Sequence, residues 1–288
     1  MDNDFLVRAV ASTYNYLGSG FRTERVLDAM RRVDRATFIP DKARVLTIVD
    51  EQVRLRLARG VGLVMKENVQ PTIEDIQHIV MDAGEIVASA RTVTVSQRAL
   101  AYNDEAIPIG YHQTCSQPSM VAFMADALEL KPGMAVLEIG TGCGYHAAVT
   151  AELLGEENRF YSVECLPELI SVAEQNLHNH FGAGYRKRVK VIHADGSVGL
   201  PERAPFDAIY LTAGVRLDCF EPGVLAQQLK LPGGVLLYPE ESGLMVKEVY
   251  GRFGNIQDIK LYQEVSFVPL KGENAESEYE IPALKSAQ

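Results

Sequence analysis

A chain of 288 residues with 47% hydrophobic and 23% charged residues can bury a core of its own, and that balance excludes disordered, collagenous and coiled-coil classes. The charge, 28 basic against 38 acidic residues for a net of -10, works against nucleic acid and anionic membrane as partners. No apolar run approaches the roughly 20 residues of a membrane span, and Met1-Asp2-Asn3-Asp4 lacks the basic start of a signal peptide, so a cytoplasmic protein is expected.

In chain order, Val26, Leu27, Met30 and Val33 mark one helical face that ends before Pro40. Residues Glu51 to Met65 stay open, since Val53, Leu55 and Leu57 alternate like a strand while the charges around them suit a helix. Ile73, Ile76, Val80, Ala83, Val87 and Ala90 follow a three-and-four spacing that predicts a helix of about five turns, entered through Pro71-Thr72. Its stripe calls for packing on the same chain or, second, on another subunit. Met120, Val121, Met124 and Leu128 predict a further covering helix.

From Lys131 to Leu270 short β-branched runs alternate with helix-like segments, the pattern of an α/β fold with a doubly wound, mostly parallel sheet. The expected strands are Val136 to Ile139, Phe160 to Glu164, Val189 to His193, Phe206 to Leu211 and Val235 to Tyr238, with edge strands at Leu244 to Tyr250 and Lys260 to Val268. Leu169, Val172, Ala173 and Leu177 predict a helix that opens at Pro167. Lys271 to Gln288 is polar and acidic and reads as a mobile tail. The division is thus 1–130 as an N-terminal cover, 131–270 as the core and 271–288 as the tail.

The run Val136-Leu137-Glu138-Ile139-Gly140-Thr141-Gly142-Cys143-Gly144-Tyr145 is an apolar strand, a glycine loop and the start of an Ala-rich helix. Side chains at Gly140, Gly142 and Gly144 would block a ligand or the tight turn, and the free N–H groups of the next helix favour a negative group. Glu164 ends the following strand 20 residues after Gly144, where a carboxylate can accept from both ribose hydroxyls. Asp195-Gly196 after the third strand supplies a place to read an adenine amino group. The loop is GxGxG, not the GxGxxG of dinucleotide sites, which favours S-adenosyl-L-methionine as the cofactor. The four cysteines, Cys115, Cys143, Cys165 and Cys219, form no CxxC pair, so no metal site is expected and reduced, buried thiols are. His178 and His180 face different sides of their helix and make no metal pair.

Several blocks resemble the protein-L-isoaspartate O-methyltransferase family: Arg25 to Met30 leading to Phe38-Ile39-Pro40, Tyr102-Asn103-Asp104 with Pro108 to Tyr111, Gln113-Thr114-Cys115-Ser116-Gln117-Pro118, and the glycine loop. Asp195-Gly196-Ser197, Ala204 to Asp207, Gln228-Leu229-Lys230 with Gly233-Gly234, and Phe267 to Leu270 continue the resemblance. It covers about Phe21 to Arg44 and Leu100 to Leu270, and its Gln-Thr-x-Ser-x-Pro block is specific to that family. The resemblance implies a Rossmann-like methyltransferase fold and carboxyl methylation of L-isoaspartyl residues in damaged proteins, with Ser116 and Thr114 on the acceptor loop. It also implies Glu138, Gly140, Thr141, Gly142, Gly144, Glu164, Asp195 and Gly196 around S-adenosyl-L-methionine. Ser116 ahead of Pro118 also reads as a helix cap.

Departures gather on the acceptor side: His112, Cys115, Thr212-Ala213-Gly214-Val215, and Pro239-Glu240-Glu241-Ser242-Gly243, whose two carboxylates repel an anionic acceptor unless they face away. His112 reads either as a carboxylate ligand or base, or as a packed loop residue. Segment 45–98 is extra relative to the family and is expected to reshape the mouth of the site or to build a homo-oligomer. The rival expectations are a different acceptor (a peptide carboxylate, a small molecule or RNA), or a non-catalytic cofactor-binding assembly protein.

Overall fold

Strands of a parallel sheet are covered on both faces, so they appear as mostly apolar runs, and Ala135–Ile139 is one, apolar but for Glu138, with all five residues buried. A computed structural model describes residues 2–16, 24–40, 43–47, 88–89, 92–262 and 265–275. The central sheet has seven strands: β6 (Ala135–Ile139), β7 (Arg159–Glu164), β8 (Lys190–His193), β9 (Ala208–Leu211), β10 (Val235–Pro239), β11 (Met245–Tyr250) and β12 (Ile256–Tyr262). Their spatial order is β12-β11-β10-β9-β6-β7-β8. The five from β8 to β10 are parallel, and β11 and β12 are antiparallel additions. The chain steps outward from β6 through β7 to β8, then returns to the other side of β6 as β9. That reversal opens a crevice at the carboxyl ends of β6 and β9, where open α/β sheets take their ligands.

Alternating residues of the strands face two cores. Val136, Phe160, Ala208, Tyr210 and Leu237 face one that also contains α1 (Asn3–Tyr16), α2 (Glu24–Arg32), α3 (Pro118–Leu128), α4 (Tyr145–Leu154) and α5 (Pro167–Phe181) side chains. Leu137, Ile139, Val163, Ile209 and Leu236 face the other, with Phe206, Phe220, Leu225 and Leu229. Leu6 and Val26 share the first core with Val136, so packing runs without a break across the expected division at residue 130.

Two small antiparallel assemblies precede the sheet. β4 (Ile107–Gly110) and β5 (Gln113–Cys115) form a hairpin whose turn holds Gly110, Tyr111 and His112 at positive φ. β1 (Ala43–Thr47), β3 (Thr92–Ser96) and β2 (Ala88–Ser89) form a three-stranded sheet in the order β1-β3-β2. Ala88 and Ser89 pair with Val93 and Thr92, so at these two positions the chain is strand where a helix running to Ala90 was expected. The rest of that helix, and the ambiguous segment from Glu51 to Met65, lie outside the described residues.

Three further expectations change. β11 lies between two neighbours and is not an edge strand, while β12 begins at Ile256 and ends at Tyr262, leaving 265–268 as irregular chain. Helix α1 adds an element that the spacing argument did not reach. The tail is docked at its start: the Asn274 side chain donates to Ser197 O and Glu221 O at 3.2 Å, and its amide carbonyl accepts from Glu221 N at 2.9 Å. Ala275 is buried, and the chain from 276 onward lies outside the described residues.

Candidate active site

The glycine loop leaves β6 at the crevice. Gly140 N and Thr141 N both donate to Val163 O, which folds the loop back over β7. Gly140 has φ +100°, and a Cβ there would press into the Thr212 hydroxyl, which donates to Gly140 O at 2.6 Å and Ile139 O at 3.1 Å. At the end of β7, Glu164 accepts from Gly142 N at 2.9 Å and from Leu166 N at 3.0 Å. The Cys165 thiol also points to Glu164 Oε1 at 3.8 Å, and since a carboxylate has about four acceptor sites, at least one remains for a ligand's hydroxyls. Gly196 supplies bare backbone beside Ile139, whose Cγ2 a Cβ would approach to 2.6 Å.

These groups border one cleft of about 740 Å³, counting its open mouth. Gly140, Thr141, Gly142, Glu164 and Gly196 line it from the sheet side, and Thr114 and Ser116 from the hairpin side. The residue at the start of α3 is Gln117, with Pro118 following and no side-chain cap, so Ser116 does not serve as the expected cap. Thr212 and Ala213 line the far side, and Pro269, Leu270 and Lys271 close it. That last segment is held by Gly214 N to Val268 O at 2.7 Å and Leu270 N to Gly214 O at 2.8 Å.

Three residues expected at the cofactor do not line this cleft. Gly144 is small because α5 passes over it, with Leu177 Cγ 3.3 Å from where a Cβ would stand. Asp195 turns to the chain end, accepting from Ser197 N at 2.8 Å, Ser197 Oγ at 2.6 Å and Glu273 N at 2.7 Å. Glu138 is buried beneath the loop. The register sets Ser162, Glu138 and Tyr210 side by side on one face. Glu138 accepts from Ser162 Oγ at 2.5 Å and from Tyr210 OH at 2.9 Å, and the chain of hydroxyls continues to Thr141 and Thr150.

Burial pushes the Glu138 carboxyl up from 4.5 to about 8, against the pull of the Ser162 and Tyr210 hydrogen bonds. A folded-state value above the unfolded one means the native protein holds a proton that the unfolded chain releases. That stabilisation is complete below about pH 4.5, declines as pH rises, and is gone above about pH 8. The Tm of the wild type is therefore expected to fall by roughly 5 °C or more between pH 5 and pH 8, and Glu138→Gln to flatten the profile. Scanning calorimetry across that range checks this, and parallel profiles for the two proteins would count against it.

Sequence reasoning missed several cavity residues: Cys143, Tyr145 and His146 line it, and Cys115 faces it as well. The Cys115 and Cys143 thiols lie against one another. Burial raises the Cys115 thiol, but the Cys143 thiol and the nearby Arg35 charge bring it below the usual thiol range, while Cys143 is driven up. His146 packs against Tyr210 with the rings tilted and their centroids 4.9 Å apart, and burial lowers it to about 3, so its ring is neutral. The signal available was position, since all three follow or interrupt the glycine loop. His112 is an exposed hairpin-turn residue and does not line the cleft. Glu240 and Glu241 also lie off it: Glu240 accepts from Ser242 Oγ at 2.9 Å, and the Glu241 side chain passes Gly214.

The strand order, the glycine loop and the acid at the end of the second strand define the architecture of Rossmann-like S-adenosylmethionine-dependent methyltransferases. A family model for protein-L-isoaspartate(D-aspartate) O-methyltransferase matches residues 63–275, and the chain belongs to that family. A protein-L-isoaspartate O-methyltransferase of Methanococcoides burtonii is 45% identical over 177 residues, covering 60% of this chain and 82% of that one. Protein-L-isoaspartate O-methyltransferase 1 of Archaeoglobus fulgidus is 45% identical over 180 residues, 60% and 80% of the two chains. Among solved structures, a Plasmodium falciparum protein described as a protein-L-isoaspartate O-methyltransferase, in complex with S-adenosyl-L-homocysteine, superposes with a TM-score of 0.58 at 18% identity. It covers 92% of this chain and 97% of its own, and shows the shared fold. Among the described residues, no helix is long and apolar enough to cross a membrane.

Proposed function

We propose that the protein is an S-adenosyl-L-methionine-dependent carboxyl O-methyltransferase acting on L-isoaspartyl residues of damaged proteins and peptides. The observation that carries this reading is the single cleft joining a nucleoside-type half, with the glycine loop, Glu164 and Gly196, to the Thr114–Ser116 hairpin edge. The donor set fits the cofactor: Glu164 has acceptor capacity left for a ribose, Gly196 offers bare backbone to an adenine face, and Gly140 to Gly142 leave room for the amino-acid end. When bound, S-adenosyl-L-methionine supplies an electrophilic methyl group on a sulfonium.

The acceptor carboxylate is ionised at neutral pH and is itself the nucleophile, so the chain has no proton to remove. Its task is to hold one carboxylate oxygen in line with the methyl and to keep water out. Ser116 and Thr114, which line the cleft, would offer hydroxyls to that oxygen, and Pro269 to Lys271 would help keep solvent out.

Incubation with radiolabelled S-adenosyl-L-methionine and an isoaspartyl peptide beside its aspartyl twin tests the proposal. Base-labile label on the isoaspartyl peptide alone is expected, and label on neither, or equally on both, would contradict it. Ser116→Ala is expected to lower kcat/KM for that peptide by roughly 10- to 100-fold. Its S-adenosyl-L-homocysteine affinity should stay within about twofold, because the hydroxyl lies on the hairpin side.

A further inference from the structure

Arg35 has no exposed surface. It opens a short turn after α2, capped by Asp34, whose carboxylate accepts from Ala36 N. Among the described residues its guanidinium donates to main-chain carbonyls, and it also acts on the Cys115 thiol. Nη1 reaches Ala101 at 3.0 Å and Asn103 at 2.9 Å, and Nη2 reaches Glu105 at 2.8 Å, Ser116 at 3.0 Å and Cys115 at 3.5 Å. Arginine keeps its charge in proteins, and a buried charge is costly unless an opposite charge answers it. Here the oxygens that accept from it are neutral, and the one acidic group it draws on is the buried Cys115 thiol, which its charge pulls toward the thiolate.

Two of those carbonyls belong to the acceptor loop. In a trans peptide unit the C=O and N–H point in opposite directions. Drawing the oxygens of Cys115 and Ser116 back onto Arg35 therefore turns the N–H groups of Ser116 and Gln117 away from it. Neither N–H has a main-chain acceptor among the described residues. Cys115 and Ser116 line the cleft while Arg35 does not, so the guanidinium stands behind the loop and the cleft in front. A second contact carries the charge to the cleft wall: the Arg35 Cζ lies 5.6 Å from the centroid of the Tyr145 ring, and Tyr145 lines the cleft with a hydroxyl that has no partner.

We propose that Arg35 is a positioning residue for the acceptor: it fixes the loop so that the Ser116 and Gln117 N–H groups face the cleft, and its buried charge selects an anionic carboxylate there. This rests on the acceptor reading above. Neutral carbonyls answer the charge only in part, and the substrate's carboxylate then answers it further.

The test compares an isoaspartyl peptide with its α-amide twin, binding each in the presence of S-adenosyl-L-homocysteine. The wild type is expected to prefer the carboxylate by at least about tenfold, and to keep that preference at about 0.5 M salt, where surface charges are screened but a buried one is not. Arg35→Lys should retain most of the preference. Arg35→Met should reduce it to within about threefold, with amide-peptide and S-adenosyl-L-homocysteine affinities unchanged within the same factor. Equal loss of both peptides in Arg35→Met would overturn the proposal, since a purely structural residue acts on both alike. Should neither variant fold, the wild type decides: a salt-resistant preference supports the role, and equal affinity for the twins, or a preference erased by salt, overturns it. Absence of methyl transfer from the wild type to any isoaspartyl peptide is a separate result that removes the acceptor reading itself.

Discussion

Glu164→Ala is expected to raise the Kd for S-adenosyl-L-homocysteine by about 100-fold, corresponding to about 2.7 kcal/mol, and to lower stability as well. The two effects have one origin. One carboxylate holds the glycine loop through Gly142 N and the entry to α5 through Leu166 N, and offers its remaining acceptor capacity to the ligand. A hydrogen bond to a charged group contributes about 1.5–3 kcal/mol, and each orphaned buried N–H costs about 1–3 kcal/mol. Glu164→Gln tests the division of labour. Its amide nitrogen would confront one of the two backbone donors, so the loop should loosen although the side chain is nearly the same size. Titration calorimetry together with thermal melting checks both. An Ala variant that binds within about threefold of wild type would show that the ligand's sugar is held elsewhere.

Gly140→Ala is the second large effect, expected to abolish measurable cofactor binding and to cost roughly 2–4 kcal/mol of stability. A backbone held at φ +100° is strained for any residue with a Cβ. The new methyl would also displace the Thr212 hydroxyl from the carbonyls of Ile139 and Gly140, which join the ends of β6 and β9 at the crevice. Circular dichroism on melting, read beside ligand titration, separates the two consequences. Wild-type stability with lost binding would place the fault in the ligand's space alone, and wild-type values for both would remove Gly140 from the site.

The sheet was legible because parallel strands are buried on both faces, so β6, β7 and β9 stand out as short runs dominated by apolar and aromatic residues. β12 was misplaced for the converse reason. As an outer strand it exposes Ile256 and Ile259 and mixes them with Gln257 and Asp258, while the apolar residues after Tyr262 follow an irregular path. Among its described side chains, helix α1 buries Leu6, Val7 and Val10 in the core with Ala11 partly packed beside them, a stripe too short to stand out. At the site, the glycine loop and Glu164 were readable because local geometry demands them. Glu138 and Asp195 lie in the same motifs, yet their oxygens serve Tyr210, Ser162 and Glu273, partners distant in sequence that spacing cannot reveal. Arg35 gives no local sign at all, since its partners are main-chain carbonyls from five other positions.

Residues 265–275 give the cleft its outer wall, through Pro269 to Lys271, and are stitched to Gly214 and to the Asp195–Ser197 corner. This part of the chain is synthesised after every strand of the sheet. A nascent polypeptide that has emerged only as far as β12 has the loop and the acid but an unfinished chamber. Ligand capture thus reports that synthesis has passed the 265–275 wall, and by mass action the ligand favours chains that have it over shorter ones.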